Sequence, residues 1–158
     1  MTGVRLRGVE PGDVEAFFHI QLDAEAAALA AFGPADPGNR QAFDLRWRRI
    51  LADPAVTART ITDEAGVVVG HIQSFLDEGT PELTYWVDRA RWGEGIGTAA
   101  VAAFLKLDRR RPLCARVAAD NSRSVAVLER HGFRHIQTSA GFAPGRGKQV
   151  LEHTYRLD

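Results

Sequence analysis

Cysteine is nearly absent: Cys114 is the only one in 158 residues. No intramolecular disulfide and no thiolate zinc cluster can form, and the chain fits a reducing compartment. An excess of one charge is missing as well. Twenty Lys and Arg balance twenty Asp and Glu, for a formal net charge of zero, which speaks against broad binding to nucleic acid or to an anionic membrane. No apolar run approaches the ~20 residues a membrane-spanning helix needs. Met1-Thr2-Gly3-Val4-Arg5 leads straight into strand-like alternation without the apolar core of a signal peptide, so a cytoplasmic setting is expected. Lysine is scarce, with Lys106 and Lys148 among the 20 basic residues. With the abundant alanine, that bias suggests a GC-rich bacterial genome.

What is present is ordinary for a globular chain: 45% hydrophobic and 25% charged residues. The length suits one domain over 1–158, able to bury about 70% of its unfolded surface without a disulfide or metal staple. No repeat, low-complexity tract or linker interrupts it.

Residues 4–7 alternate as a strand. Pro11-Gly12-Asp13 opens a helix with Asp13 as its cap, and Val14, Phe17, Phe18 and Leu22 give it an apolar face. The alanine-rich stretch to Phe32 continues or re-forms that helix until the loop from Gly33 to Gly38 breaks it. A second helix carries Phe43, Trp47, Ile50 and Leu51 on one side and ends at Asp53-Pro54. Period two then takes over, and 59–62, 67–75 and 82–88 read as a three-strand meander. Ile96, Ala100, Ala103, Phe104 and Leu107 return to helical spacing. Lys106 and Arg109-Arg110-Arg111 crowd the last turn, where the dipole favours cations, and Pro112 is the stop. Residues 113–118 form a strand, and the intervening helix implies parallel pairing through a right-handed crossover. A short helix over 122–131 ends at Gly132 in the C′ position. Residues 133–139 and 149–157 close the chain as a hairpin with Gly145-Arg146-Gly147 at its tip. The pattern predicts an α+β fold: a mixed, mainly antiparallel sheet of six to seven strands with one parallel pair, flanked by about four helices.

Arg91-Trp92-Gly93-Glu94-Gly95-Ile96-Gly97-Thr98 joins a strand to a helix. Its glycines let backbone approach a ligand, and the free N–H groups at the helix start suit a pyrophosphate. The same glycines also suit a tight strand-to-helix turn. A P-loop is excluded because no Lys-Ser/Thr follows. The dinucleotide fingerprint has spacing G-x-G-x-x-G, whereas this loop has G-x-G-x-G. Asp120 could imitate that motif's acid, but an antiparallel meander precedes the loop. In a second segment, 120–133, Asn121 and Ser124 lie one helical turn apart and can face one slot. Asn121 or Ser122 can equally cap that helix.

Together the two segments resemble the GNAT superfamily of acyl-CoA-dependent N-acyltransferases. The run from Trp92 to Thr98 is similar to that superfamily's acyl-CoA motif, with Trp92 where Gln or Arg is usual. The Trp-Gly form, Asn121-x-x-Ser124 and Leu128-Glu129-Arg130-x-Gly132-Phe133 resemble the branch of ribosomal-protein N-terminal acetyltransferases. The resemblance implies a splayed parallel strand pair that takes the pantetheine arm between 86–88 and 116–118. Acetyl-CoA would then meet Trp86, Val87 and Asp88, the loop Arg91, Trp92, Gly93, Glu94, Gly95, Ile96, Gly97 and Thr98, and Asn121, Arg123 and Ser124. The loop N–H groups hold the pyrophosphate, and Arg91 or Arg123 reaches the 3′-phosphate. No metal is implied.

The resemblance further implies direct attack of a primary amine on the thioester, polarised by a backbone N–H near Val87. The amine belongs to a small molecule or to a peptide or protein N-terminus. Cys114 is then a small buried core residue and not a nucleophile. Many relatives place a tyrosine where this chain has Leu128. Ser124 is the remaining hydroxyl, with Asn121 to orient it. Glu82 is the candidate base and His71 its backup. The acceptor side comprises Gln21 to Glu25, the Gly33 to Gly38 loop and Phe142 to Lys148. Asp23, Glu25 and Asp36 would attract a cation, and Trp47 and Phe32 would supply an apolar wall. The alternative is a non-catalytic acyl-CoA-binding sensor or scaffold of the same fold. The last strands offer an edge for a homodimer.

Overall fold

The computed structural model describes residues 3–158, so Met1-Thr2 of the N-terminal segment lie outside the described residues. The elements run β1 (Val4–Arg7), α1 (Pro11–Gln21), α2 (Ala24–Ala30), α3 (Arg40–Ala52), β2 (Thr57–Asp63), β3 (Val68–Asp77) and β4 (Thr80–Val87). After a 3-10 turn (Arg89–Arg91) come α4 (Ile96–Leu107), β5 (Leu113–Ala118), α5 (Ser122–Arg130), β6 (Arg134–Ala143) and β7 (Lys148–Leu157). The seven strands form one sheet in the order β1-β2-β3-β4-β5-β7-β6.

Every neighbouring pair is antiparallel except β4 and β5. Those two run parallel and share a single register pair, Glu82 opposite Cys114. On its other edge β5 is paired with β7 along its full length, from Leu113–Leu157 to Ala118–Glu152. The C-terminal half of β4 follows β3 instead, through Val87 opposite Gly70. The two halves of the sheet therefore part beyond Glu82, and a gap opens where α4 begins.

Strand alternation sends apolar side chains to both faces. On one face Ile72, Leu83 and Leu113 pack with Ile96, Val101 and Phe104 of α4, all buried. On the other, α1 and α3 pack Phe17, Phe18, Phe43 and Trp47 together. Each such large side chain contributes roughly 1.5–3 kcal/mol through burial.

Local expectations are settled or corrected at four places. Asp13 is not the cap of α1. Glu10 is, and the Asp13 carboxylate sits in the first turn accepting the Glu10 N–H at 2.8 Å. Asp13 also takes two hydrogen bonds from Arg7, at 2.6 and 2.9 Å, and one from Thr60 at 2.8 Å. Of the two courses open to the alanine-rich stretch, the helix re-forms: Asp23 caps a separate α2 by accepting the Ala26 N–H at 2.9 Å, which brings the α-helices to five. Helix α4 ends at Leu107, so Arg109 to Arg111 lie beyond it. Arg110 turns back to Asp108, at 2.9 Å, and to Ser74. Finally, Leu22 and Leu51 point outward, at 39% and 50% exposure, and Cys114 is only half-buried.

Candidate active site

Where β4 parts from β5, a cavity of about 370 Å³ opens against α2, α4 and α5; residues 116–118, expected on its far side, do not line it. Its floor comes from Tyr85, Trp86 and Val87 of β4, and one wall from the glycine loop and the start of α4. Gly93 and Gly95 have φ of 87° and 80°, in the left-handed region that a Cβ penalises. Gly95 is the N-cap of α4, so the N–H groups of Ile96, Gly97 and Thr98 have no partner within the helix. A helix start of this kind, open to a cavity, attracts an anion.

Helix α5 supplies the opposite wall with Asn121, Arg123, Ser124 and Arg130. Asn121 caps α5 through its side-chain oxygen, accepting the Ser124 N–H at 3.3 Å, so the capping reading holds while the residue still lines the cavity. The hydroxyl of Ser124 lies 3.1 Å from the Tyr85 hydroxyl. Burial pushes the Tyr85 phenol up, against the opposing bond to Ser124, so it is a neutral donor at physiological pH.

Val87 is held from both sides. The neighbouring Asp88 N–H donates to the Val69 carbonyl at 2.8 Å, and the Trp92 indole N–H donates to the Val87 carbonyl at 3.0 Å. Groups of adjacent residues alternate across a strand. With the Asp88 N–H turned to β3, the Val87 N–H faces the gap.

The remaining sequence candidates divide. Asp88 and Glu94 do not line the cavity: Asp88 caps the 3-10 turn and Glu94 binds Arg91. Arg91 lines it, but its guanidinium is held between Glu94, at 2.9 Å, and Asp63, at 3.0 Å, which ties the glycine loop to β2. Arg123 lies over the Trp92 ring at 5.3 Å and, like Arg130, has no carboxylate partner among the described residues. Arg130 escaped the sequence reading, although it stands seven residues, two turns, after Arg123 on the same helix face. Tyr85 escaped too. Period-two alternation from Val87 was the signal that could have found it.

Glu82 lines no described cavity. It sits at the closed end of the parallel pair, with its carboxylate 2.9 Å from Arg116. Burial raises its pKa while Arg116 opposes the rise.

A second, smaller cavity of about 140 Å³ lies on the α1–α3 side and touches the first only at Trp86. Of the residues assigned to the acceptor side, Gln21, Gly33, Pro34 and Trp47 line it; Phe32, Asp36 and 142–148 do not. The acidic candidates are engaged elsewhere. Asp23 caps α2, and Glu25 is bound to Arg89. The hairpin tip is fastened to α2 and to the β5–α5 turn, where Arg146 pairs with Asp120 at 2.6 and 2.7 Å. His71 also lines the second cavity, its ring tilted against Phe17 at 4.8 Å and edge-on to Trp47 at 4.9 Å. Burial, with the nearby Arg46 charge, pushes its pKa down to about 3. A group so weakly basic cannot take a proton from an ammonium, so His71 is no backup base.

Residues 4–134 match the acetyltransferase (GNAT) domain family. No curated protein sequence matches the chain. Among solved structures, the phosphinothricin acetyltransferase of Sinorhizobium meliloti, in complex with acetyl-CoA, superposes with a TM-score of 0.81 at 17% identity, over 98% of this chain and 87% of that one. The spermidine N-acetyltransferase of Vibrio cholerae, in complex with CoA and spermine, gives 0.78 at 16%, over 97% and 95%. RimJ of Mycobacterium smegmatis, in complex with CoA-disulfide, gives 0.76 at 23%, over 98% and 81%. At these identities the likeness is one of fold.

Proposed function

The chain belongs to the GNAT acetyltransferase family, and from that premise we propose how its own residues carry an acetyl group from acetyl-CoA to a primary amine. The observation that carries the reading is the cavity beside β4, lined both by a helix start without a side-chain cap and by Val87. The residues fit the cosubstrate: the N–H groups of Ile96, Gly97 and Thr98 and the guanidinium groups of Arg123 and Arg130 would take the phosphates. Asn121 and the β4 backbone would take the pantetheine arm. Arg91 acts on the loop's shape and not on a phosphate.

For the chemistry, the Val87 N–H would donate to the thioester carbonyl and stabilise the negative charge that builds on its oxygen. The amine nitrogen bonds to the carbonyl carbon and the carbon–sulfur bond breaks. The attacking nitrogen sheds its extra proton to water, and we assign the Tyr85–Ser124 pair as the donor of a proton to the departing thiolate, the pair being reprotonated from water. Tyr85 thus takes the part for which Leu128 offers no phenol. No dedicated base is assigned. An α-amine of pKa ~7.8 costs only about 1 kcal/mol to deprotonate at pH 7, against about 4.6 for a lysine amine at ~10.4. The amine's own pKa then sets what fraction of it is reactive, and we place the reaction in the cytoplasm, where Cys114 stays a thiol.

A thermal shift with acetyl-CoA, CoA and NAD, followed by thiol release against an amine panel, tests the reading. Acetyl-CoA at 100 times its Kd should stabilise by about 2.7 kcal/mol, and amines should release thiol. Stabilisation without release from any amine would favour the sensor. No response to either CoA species would sink the site.

A further inference from the structure

The second cavity has an unusual wall. Arg46 reaches it from α3 and has no ion pair or hydrogen bond among the described residues. Its guanidinium lies 5.3 Å from the Phe43 ring, partly dehydrated, and is the only charged group lining the cavity. Arg40, the first residue of α3, is by contrast paired with both Glu15 and Asp44.

His71, only 7% exposed, makes no hydrogen bond through either ring nitrogen, and its Nδ1 is sealed from solvent. Buried N–H groups are orphaned less readily than buried acceptors. The neutral ring therefore keeps its proton on Nε2, the nitrogen not sealed away, and leaves Nδ1 as the bare acceptor. The cavity thus presents a guanidinium and an imidazole N–H, beside the neutral side chains of Gln21, Gln73 and Thr84 and with no carboxylate, between the Trp47 and Trp86 rings.

His71 stands directly opposite Trp86 in the β3–β4 register, and Trp86 adjoins Val87 at the gap. Trp86 lines both cavities, so an acceptor seated here reaches the Val87 end across that one residue.

We propose that this cavity binds an oxyanion of the acceptor, so that the substrate is a primary amine carrying a carboxylate or a phosphorus oxyanion a few bonds from its nitrogen, and not a polyamine. Arg46 recognises the anion and His71 adds a second donor. This rests on the acetyl-transfer reading for the amine, but the anion site can be read separately by binding.

β-Alanine and 2-aminoethylphosphonate serve as probes, with ethylamine and spermidine as the matched cations. Trp47 and Trp86 line the cavity, so tryptophan fluorescence reports binding in the acetyl-CoA-loaded protein, and thiol release reports turnover. The expected result is at least about tenfold tighter binding of the anionic probes, the equivalent of one good charged hydrogen bond. Arg46→Gln, at an exposed helical position, should erase that preference, and Arg46→Lys should restore part of it. The ratio of β-alanine to 2-aminoethylphosphonate affinity identifies which oxyanion is preferred. Equal or tighter binding of ethylamine or spermidine, no binding of either anionic probe, or an unchanged preference in Arg46→Gln would overturn the proposal. Anion binding that depends on Arg46 without thiol release would keep this site and refute the transferase reading.

Discussion

Replacing His71 by leucine should change how stability depends on pH more than how it depends on anything else. The ring sits between Phe17 and Trp47 with the Arg46 cation nearby, and its pKa in the folded chain is pushed down to about 3. In the unfolded chain it returns to about 6.5. The unfolded state therefore binds a proton that the folded state refuses. Stability from this group is present above pH ~6.5 and is lost as pH falls toward 3, with a slope approaching ~1.4 kcal/mol per pH unit. Between pH 7 and 4.5 the loss comes to about 2.5 kcal/mol. Urea unfolding followed by far-UV circular dichroism, at fixed ionic strength from pH 7.5 to 4.5, measures it in both proteins. Carboxylates such as Asp13 and Asp108, held below their usual range despite burial by hydrogen bonds from Arg7 and from Arg110, are common to both and cancel in the difference. The gap between wild type and His71→Leu should narrow by about 2.5 kcal/mol on acidification. Parallel curves would mean that His71 takes up a proton in the folded state, and the burial argument would fail.

Three further outcomes follow from the same contacts. Tyr85→Phe and Ser124→Ala should each lower kcat for acetyl transfer, by roughly 10²-fold for a lost general acid, with a smaller change in KM for acetyl-CoA; steady-state kinetics showing only KM effects would remove the pair from proton transfer. Gly70→Ala drives a Cβ into the Trp86 carbonyl. It should cost about 1–3 kcal/mol as an overpacked site and weaken acetyl-CoA binding by shifting Val87, read by denaturation and calorimetry. Asp13→Ala removes the acceptor shared by Arg7, Thr60 and the Glu10 N–H. A loss of about 2–3 kcal/mol is expected in thermal unfolding, with activity per folded molecule unchanged.

Local chemistry alone determined much of this protein. The strand 113–118, the glycine loop opening α4, Gly132 after α5 and Asn121 as a cap each depend on neighbours within a turn or two. Period, glycine spacing and capping residues record such features directly. So does the order of strands and helices, which implied the parallel crossover. What only the tertiary structure decided depends on partners far apart in the chain. Tyr85 meets Ser124 across 39 residues because β4 and α5 face each other over the gap. Arg91 meets Asp63, Glu25 meets Arg89 and Glu82 meets Arg116, so side chains that read as free in the sequence are held in ion pairs. Arg46 and Arg40 stand on one helix, yet only Arg40 finds carboxylates. A charged residue's role is set by which opposite charge the fold brings within hydrogen-bond range. That depends on sheet register and on where each helix lands, and neither is written in the residues beside it.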